Sequence, residues 1–140
     1  MKWILFGVVA IIACFLFCFI VVYVKHWHKI SSRGGTRTIC NTLINGLLKY
    51  SSARIIQDRT VWVTVGGTFT DIVNRDCGYW SVIIQPQFNI LNVKYQAYID
   101  LDGGMVAKKV WNFPINMNQE DMLAIIKKEA DQWTIFAVYK

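Results

Sequence analysis

From Trp3 to Val24 the chain runs for 22 residues without a charged side chain, and this stretch decides what the rest can be. As an α-helix it extends ~33 Å at about 1.5 Å per residue, enough for a bilayer hydrocarbon core of about 30 Å. Lys2 precedes it and Lys25-His26-Trp27-His28-Lys29 lies directly after it. Trp3, Tyr23 and Trp27 stand near its two ends, where amphipathic rings favour the lipid–water interface. The expectation is a single transmembrane anchor with a basic and aromatic flank over residues 1–29.

A cleaved signal peptide also begins with a lysine and an apolar run, but this run is too long for an ordinary apolar region of that kind, and no polar, small-residue cleavage site comes after it. Ile11-Ile12-Ala13-Cys14 resembles the lipobox of bacterial lipoproteins, whose cysteine is acylated. Cys14 nevertheless continues into Phe-Leu-Phe-Cys-Phe-Ile-Val-Val, where a lipoprotein turns polar. Gly7, Ala10, Cys14 and Cys18 recur at steps of three and four, so small side chains share one helix face. Such a face suits close helix packing in lipid, here a homodimer seam or a contact with other spans.

Orientation has two opposed signals. Lys25, Lys29, Arg33 and Arg37 lie after the helix and only Lys2 before it, which by the positive-inside rule favours a cytoplasmic C-terminal domain. The short Met-Lys start instead resembles an uncleaved signal anchor that exports the C-terminal domain. Absence of any Asn-x-Ser/Thr acceptor weighs against a glycosylated ectodomain. The resulting expectation is a single-pass bacterial inner-membrane protein with its C-terminal domain in the periplasm.

Residues 30–37, Ile-Ser-Ser-Arg-Gly-Gly-Thr-Arg, read as a short flexible linker. It leads into a domain over 38–140. The first helix of that domain carries Ile39, Cys40, Leu43, Ile44, Leu47 and Leu48 on one face, with Thr36 or Thr38 as its cap, and fades between Tyr50 and Arg54. From Arg59 the period becomes two, and Val61, Val63 and Val65 form a strand that Gly66-Gly67 turns or bulges. Tyr79–Gln85 reads as a buried strand stopped by Pro86. Val93–Leu101 and Met105–Phe113 make a hairpin about Asp102-Gly103-Gly104. Asn118, with Glu120 and Asp121, starts a helix that places Met122, Ile125, Ile126, Ala130 and Trp133 on one face. Thr134–Tyr139 reads as a closing strand. The fold class is therefore α+β: an antiparallel sheet of about four to five strands with two packed helices, in the order α-β-β-β-β-α-β.

Chemistry is sparse. His26 and His28 could offer two metal ligands, but no Cys, Asp or Glu near them in sequence completes a zinc site, so they read as part of the interfacial flank. Cys40 and Cys77 have no histidine base in the domain, and their expected role is a disulfide closing a loop of 37 positions, against two buried thiols. Asp100 and Asp102 share the spacing of a divalent-ion motif, yet an exposed strand end and a turn account for both. Val65-Gly66-Gly67-Thr68 lacks the Gly-Lys-Ser/Thr of a phosphate loop. No enzyme, cofactor or metal is expected.

Residues 25–59 carry seven Lys or Arg against Asp58 alone, a net of +6, whereas 60–140 carry seven against eight acids, a net of −1. The excess charge thus belongs to the stem and first helix, which suits anionic lipid headgroups better than a nucleic-acid reading surface. The reading is a membrane-anchored, non-enzymatic binding module of the bacterial envelope, of the toxin-immunity or conjugative exclusion type, with lipid and an envelope protein as partners and no nucleic acid. A structural subunit of an inner-membrane secretion or conjugation complex is the alternative.

Overall fold

A computed structural model describes residues 2–50, 52–70, 76–100 and 105–131. The apolar run forms α1 (Lys2–Ser32), 31 residues long, which continues well past the uncharged stretch. Nothing between Lys25 and Ser32 interrupts a helix: the first glycine after the run is Gly34, and it is there, with φ 84°, that the backbone leaves the helix. Arg33 N–H donates to Ile30 O at 3.2 Å and Gly34 N–H to Ser31 O at 3.1 Å, closing the last turn.

The segment with the composition of a flexible linker is consequently ordered. It comprises the end of α1, a glycine turn and the start of α2 (Gly35–Ile39). Ile30 is 4% exposed and Thr36 fully buried. The Thr36 amide and hydroxyl both donate to Thr60 O, at 2.9 and 3.0 Å. Glycine here supplies positive φ and close approach, since a Cβ on Gly35 would stand 3.3 Å from Thr60 O.

The expected single helix of the domain is two pieces, α2 and α3 (Asn41–Leu47), parted at Cys40 with φ −107° and ψ 28°. Five strands come next: β1 (Arg54–Arg59), β2 (Trp62–Thr70), β3 (Asp76–Gln87), β4 (Ile90–Ile99) and β5 (Met105–Pro114). They pair antiparallel in sequence order, and α4 (Gln119–Asp131) closes the described chain. The α+β class holds. Three details differ from expectation. β1 is an additional strand, whose exposed residues show no alternation. Gly66 and Gly67 neither turn nor bulge β2 but pair regularly with Ser81 and Trp80. Strand β3 runs through Pro86, which pairs with Leu91 of β4 beyond the last β2 partner, Ile84, where no β2 residue requires an amide from it. The hairpin of β4 and β5 is present through Ile99↔Met105, while its turn, Asp102 included, Trp133 and the closing strand 134–139 lie outside the described residues.

Alternation divides the sheet. Val63, Val65, Phe69, Trp80, Val82, Ile84, Val93, Tyr95 and Trp111 point to one face, where Leu43, Ile44 and Leu47 of α3 and Met122 and Ile126 of α4 meet them. Gly46 lets the two helices close: a Cβ there would collide with the Leu123 side chain. Asn118 caps α4 as expected, its Oδ1 accepting from Glu120 N–H at 3.0 Å.

Candidate membrane junction and open sheet face

Two surfaces stand out, one where α1 meets the sheet and one on the face without helices. At the first, His26, Trp27 and Ile30 fall on the side of α1 that faces the ends of β2 and β3. The His26 ring stacks on Phe88, with centroids 4.6 Å apart, and its Nε2 lies 3.3 Å from both Phe88 N and Pro86 O. In the tautomer protonated at Nδ1 that nitrogen accepts from the Phe88 amide; in the other it donates to the Pro86 carbonyl. His26 is thus a latch between helix and hairpin as well as part of the flank. No sequence period reports this contact, which joins positions 62 apart.

Phe88 begins the two-residue turn between β3 and β4 and has φ 51°, a region that costs a bulky residue about 1–2 kcal/mol and is normally left to Gly or Asn. The residue is 58% exposed. Between it and α1 lies a cleft of about 290 Å³, walled by Phe19, Val22 and Tyr23 on the helix and by Trp62, Pro86 and Phe88 on the sheet. Ile90 and Ile115 are exposed beside the same turn, where Ile115 N–H donates to Asn89 O at 2.9 Å.

Lys25, His28, Lys29 and Arg33 are exposed at this end of the molecule. Arg37 pairs with Asp58 at 2.9 Å, an open contact contributing under about 1 kcal/mol. Lys49 and Arg54 belong to the domain instead, so the basic stretch of the sequence is split by the fold. Gly7, Ala10, Cys14 and Cys18 lie exposed along α1, and a Cβ on Gly7 would meet nothing within 4 Å.

The anticipated disulfide is not formed. Cys40 terminates α2, which begins against Thr60 at the β1–β2 turn, whereas Cys77 sits beside Gly78, the partner of Phe69 and Ile99, at the other end of the sheet. Cys40 is a core residue whose thiol burial pushes up to about 12. Asp100 is exposed and its amide donates to Cys77 O at 2.7 Å. Among the described residues no three of His, Cys, Asp and Glu gather as metal ligands.

On the second surface, Tyr79 and Tyr98 stack at 5.7 Å, and Ile56, Tyr79 and Val110 are more than half exposed. A shallow depression on this face is bordered by Arg54, Ile56, Tyr79 and Ile83. This face mixes apolar rings with Lys94, Gln96 and Lys108, and among the described residues no helix covers it. Comparison of the chain with protein-family models, curated proteins and solved structures gives no match.

Proposed function

We propose that the protein is a membrane-anchored, non-enzymatic binding module of the bacterial envelope that offers the open face of its sheet to a protein partner. The observation that carries the reading is α1. Residues 6–32 form one helix long and apolar enough to cross a membrane, and its rings are bare, Phe15 being 75% and Phe19 73% exposed. A helix of the same composition inside a soluble fold would be covered by the domain it belongs to. The open face supports the binding half of the reading, since it combines the exposed Tyr79, stacked on Tyr98, with aliphatic side chains and flanking lysines.

Placement of the domain in the periplasm, and action as an immunity or conjugative exclusion protein, are tested together. Alkaline phosphatase fused after Lys140 is expected to be active, and a cytoplasmic reporter at the same point silent; the reverse pattern overturns the placement. Expressed alone, the protein is expected to protect a cell against a cognate toxin or against incoming conjugation. Tyr79→Ala with Val110→Asp should abolish that protection while membrane-fraction yield is unchanged. Protection that requires neighbouring gene products, with co-purification of those products, would instead favour the envelope-machine subunit.

A further inference from the structure

The cleft between α1 and the β3–β4 turn is lined mainly by apolar and aromatic side chains, with His26, Gln85 and Gln87 among them, yet it opens at the outside of the molecule. Its depth in a bilayer is set by α1 itself. His26 is two residues beyond Val24, the end of the uncharged run, which is about 3 Å along a helix axis. The Phe88 ring stacked on His26 therefore stands within one helical turn of that end, and Phe19, Val22 and Tyr23, the other wall, belong to the run. In a bilayer the cleft faces the boundary between acyl chains and headgroups, with Trp27, 46% exposed, beside it. Lys25 and Lys29, one and five residues beyond the run, then lie at headgroup level, where each cation near an anionic surface contributes about 1 kcal/mol.

Phe88 supplies a second, independent pointer. A bulky residue held at positive φ, in a turn that glycine would make without strain, leaves more than half of its surface uncovered. The stack on His26 covers one side of the ring, and hydrocarbon in the cleft would cover more of it.

We propose that the cleft is a phospholipid site: one acyl chain of a leaflet lipid lies between α1 and the β3–β4 turn, with its headgroup in the basic zone just beyond the apolar run. Phe88 is then a wall of the lipid-filled cleft, and Ile90 and Ile115, exposed beside the same turn, face the bilayer surface. This inference rests on α1 spanning the membrane.

Photo-crosslinking of the full chain in vesicles of phosphatidylethanolamine and phosphatidylglycerol tests it. With p-benzoylphenylalanine in place of Phe17, in the apolar run, a lipid adduct is expected by mass spectrometry. The same label in place of Phe88 should also yield a lipid adduct, and adding Val22→Trp, which fills the cleft, should abolish the adduct at position 88 and spare the one at 17. Labelling of lipid at 17 but of none at 88, an adduct at 88 that Val22→Trp leaves untouched, or an adduct at 88 to a second protein chain would each overturn the site while leaving the anchor in place. Loss of the adduct at 17 as well would overturn the anchor and the site with it.

Discussion

Gly66 illustrates how one missing methyl group organises a sheet. It pairs with Arg54 on one side and Ser81 on the other, and a Cβ would stand 2.5 Å from Trp80 O and 2.6 Å from the Ile56 Cδ1. The isoleucine can move, but the backbone oxygen cannot move without disturbing the β2–β3 ladder. Gly66→Ala is therefore expected to cost about 1–3 kcal/mol, read as a lowered thermal midpoint with unchanged secondary structure at low temperature. Cys40 makes a different prediction. Its thiol is raised from 9.0 to about 12 because burial penalises the thiolate. Above pH 9 the unfolded chain loses this proton and the folded one keeps it, so stability falls as pH rises between about 9 and 12, with a slope of up to about 1.4 kcal/mol per pH unit from this residue. Tyr95, also raised by burial, steepens the upper part of that decline. Denaturant midpoints measured at pH 8 and pH 10.5 should diverge in the wild type and diverge less in Cys40→Ala; parallel behaviour of the two proteins would remove the thiol from the account.

Among the elements, those legible in the sequence are those whose signals are local. The α4 cap at Asn118 and the alternation of β4 depend on neighbours a few residues away, and both are present in the fold. β1 is an edge strand with an irregularity between Ile55 and Gln57, so its pattern of exposure has no period to detect, and its charges at Arg54, Asp58 and Arg59 serve an open edge rather than a core. The break between α2 and α3 escapes a local reading for another reason: its cause lies almost eighty residues downstream. Gln119 Nε2 donates to Ile39 O at 2.6 Å while its Oε1 accepts from Leu43 N–H at 3.0 Å, so one side chain satisfies the last carbonyl of α2 and an early amide of α3. Gln119→Ala leaves both groups partly buried without that partner. It is expected to lower stability by about 2 kcal/mol, and to accelerate hydrogen exchange at Leu43 more than at the β3–β4 ladder. Uniform acceleration would mean that the glutamine acts on the whole domain rather than on the junction.

At the scale of the whole molecule, the sequence divides into anchor, tether and domain, but the fold does not. A stretch rich in Ser and Gly reads as a tether because its composition permits disorder; here the same glycines allow α1 to end and α2 to press against Thr60 within a few residues. Ile30 is buried just before that turn, and the His26 latch holds α1 a second time at the β3–β4 turn. Attachment of one rigid helix at two different turns of the sheet fixes its direction relative to the domain, which a flexible tether could not do. The consequence is measurable in how short a fragment still folds well. A fragment of residues 38–140 loses the burial of Ile30, about 1.5–3 kcal/mol, and the Thr36–Thr60 hydrogen bonds, about 1 kcal/mol each. Compared with residues 26–140, which also keep the His26 contact, it should be less stable by about 5 kcal/mol, a fall in thermal midpoint on the order of 20 °C for a domain of this size. His26→Ala within the longer fragment should cost less, about 1 kcal/mol, since it removes one exposed stack and one weak hydrogen bond. Equal melting of the two fragments would show that α1 and the domain are independent bodies, and that the angle at which the sheet meets the membrane is not set by the chain.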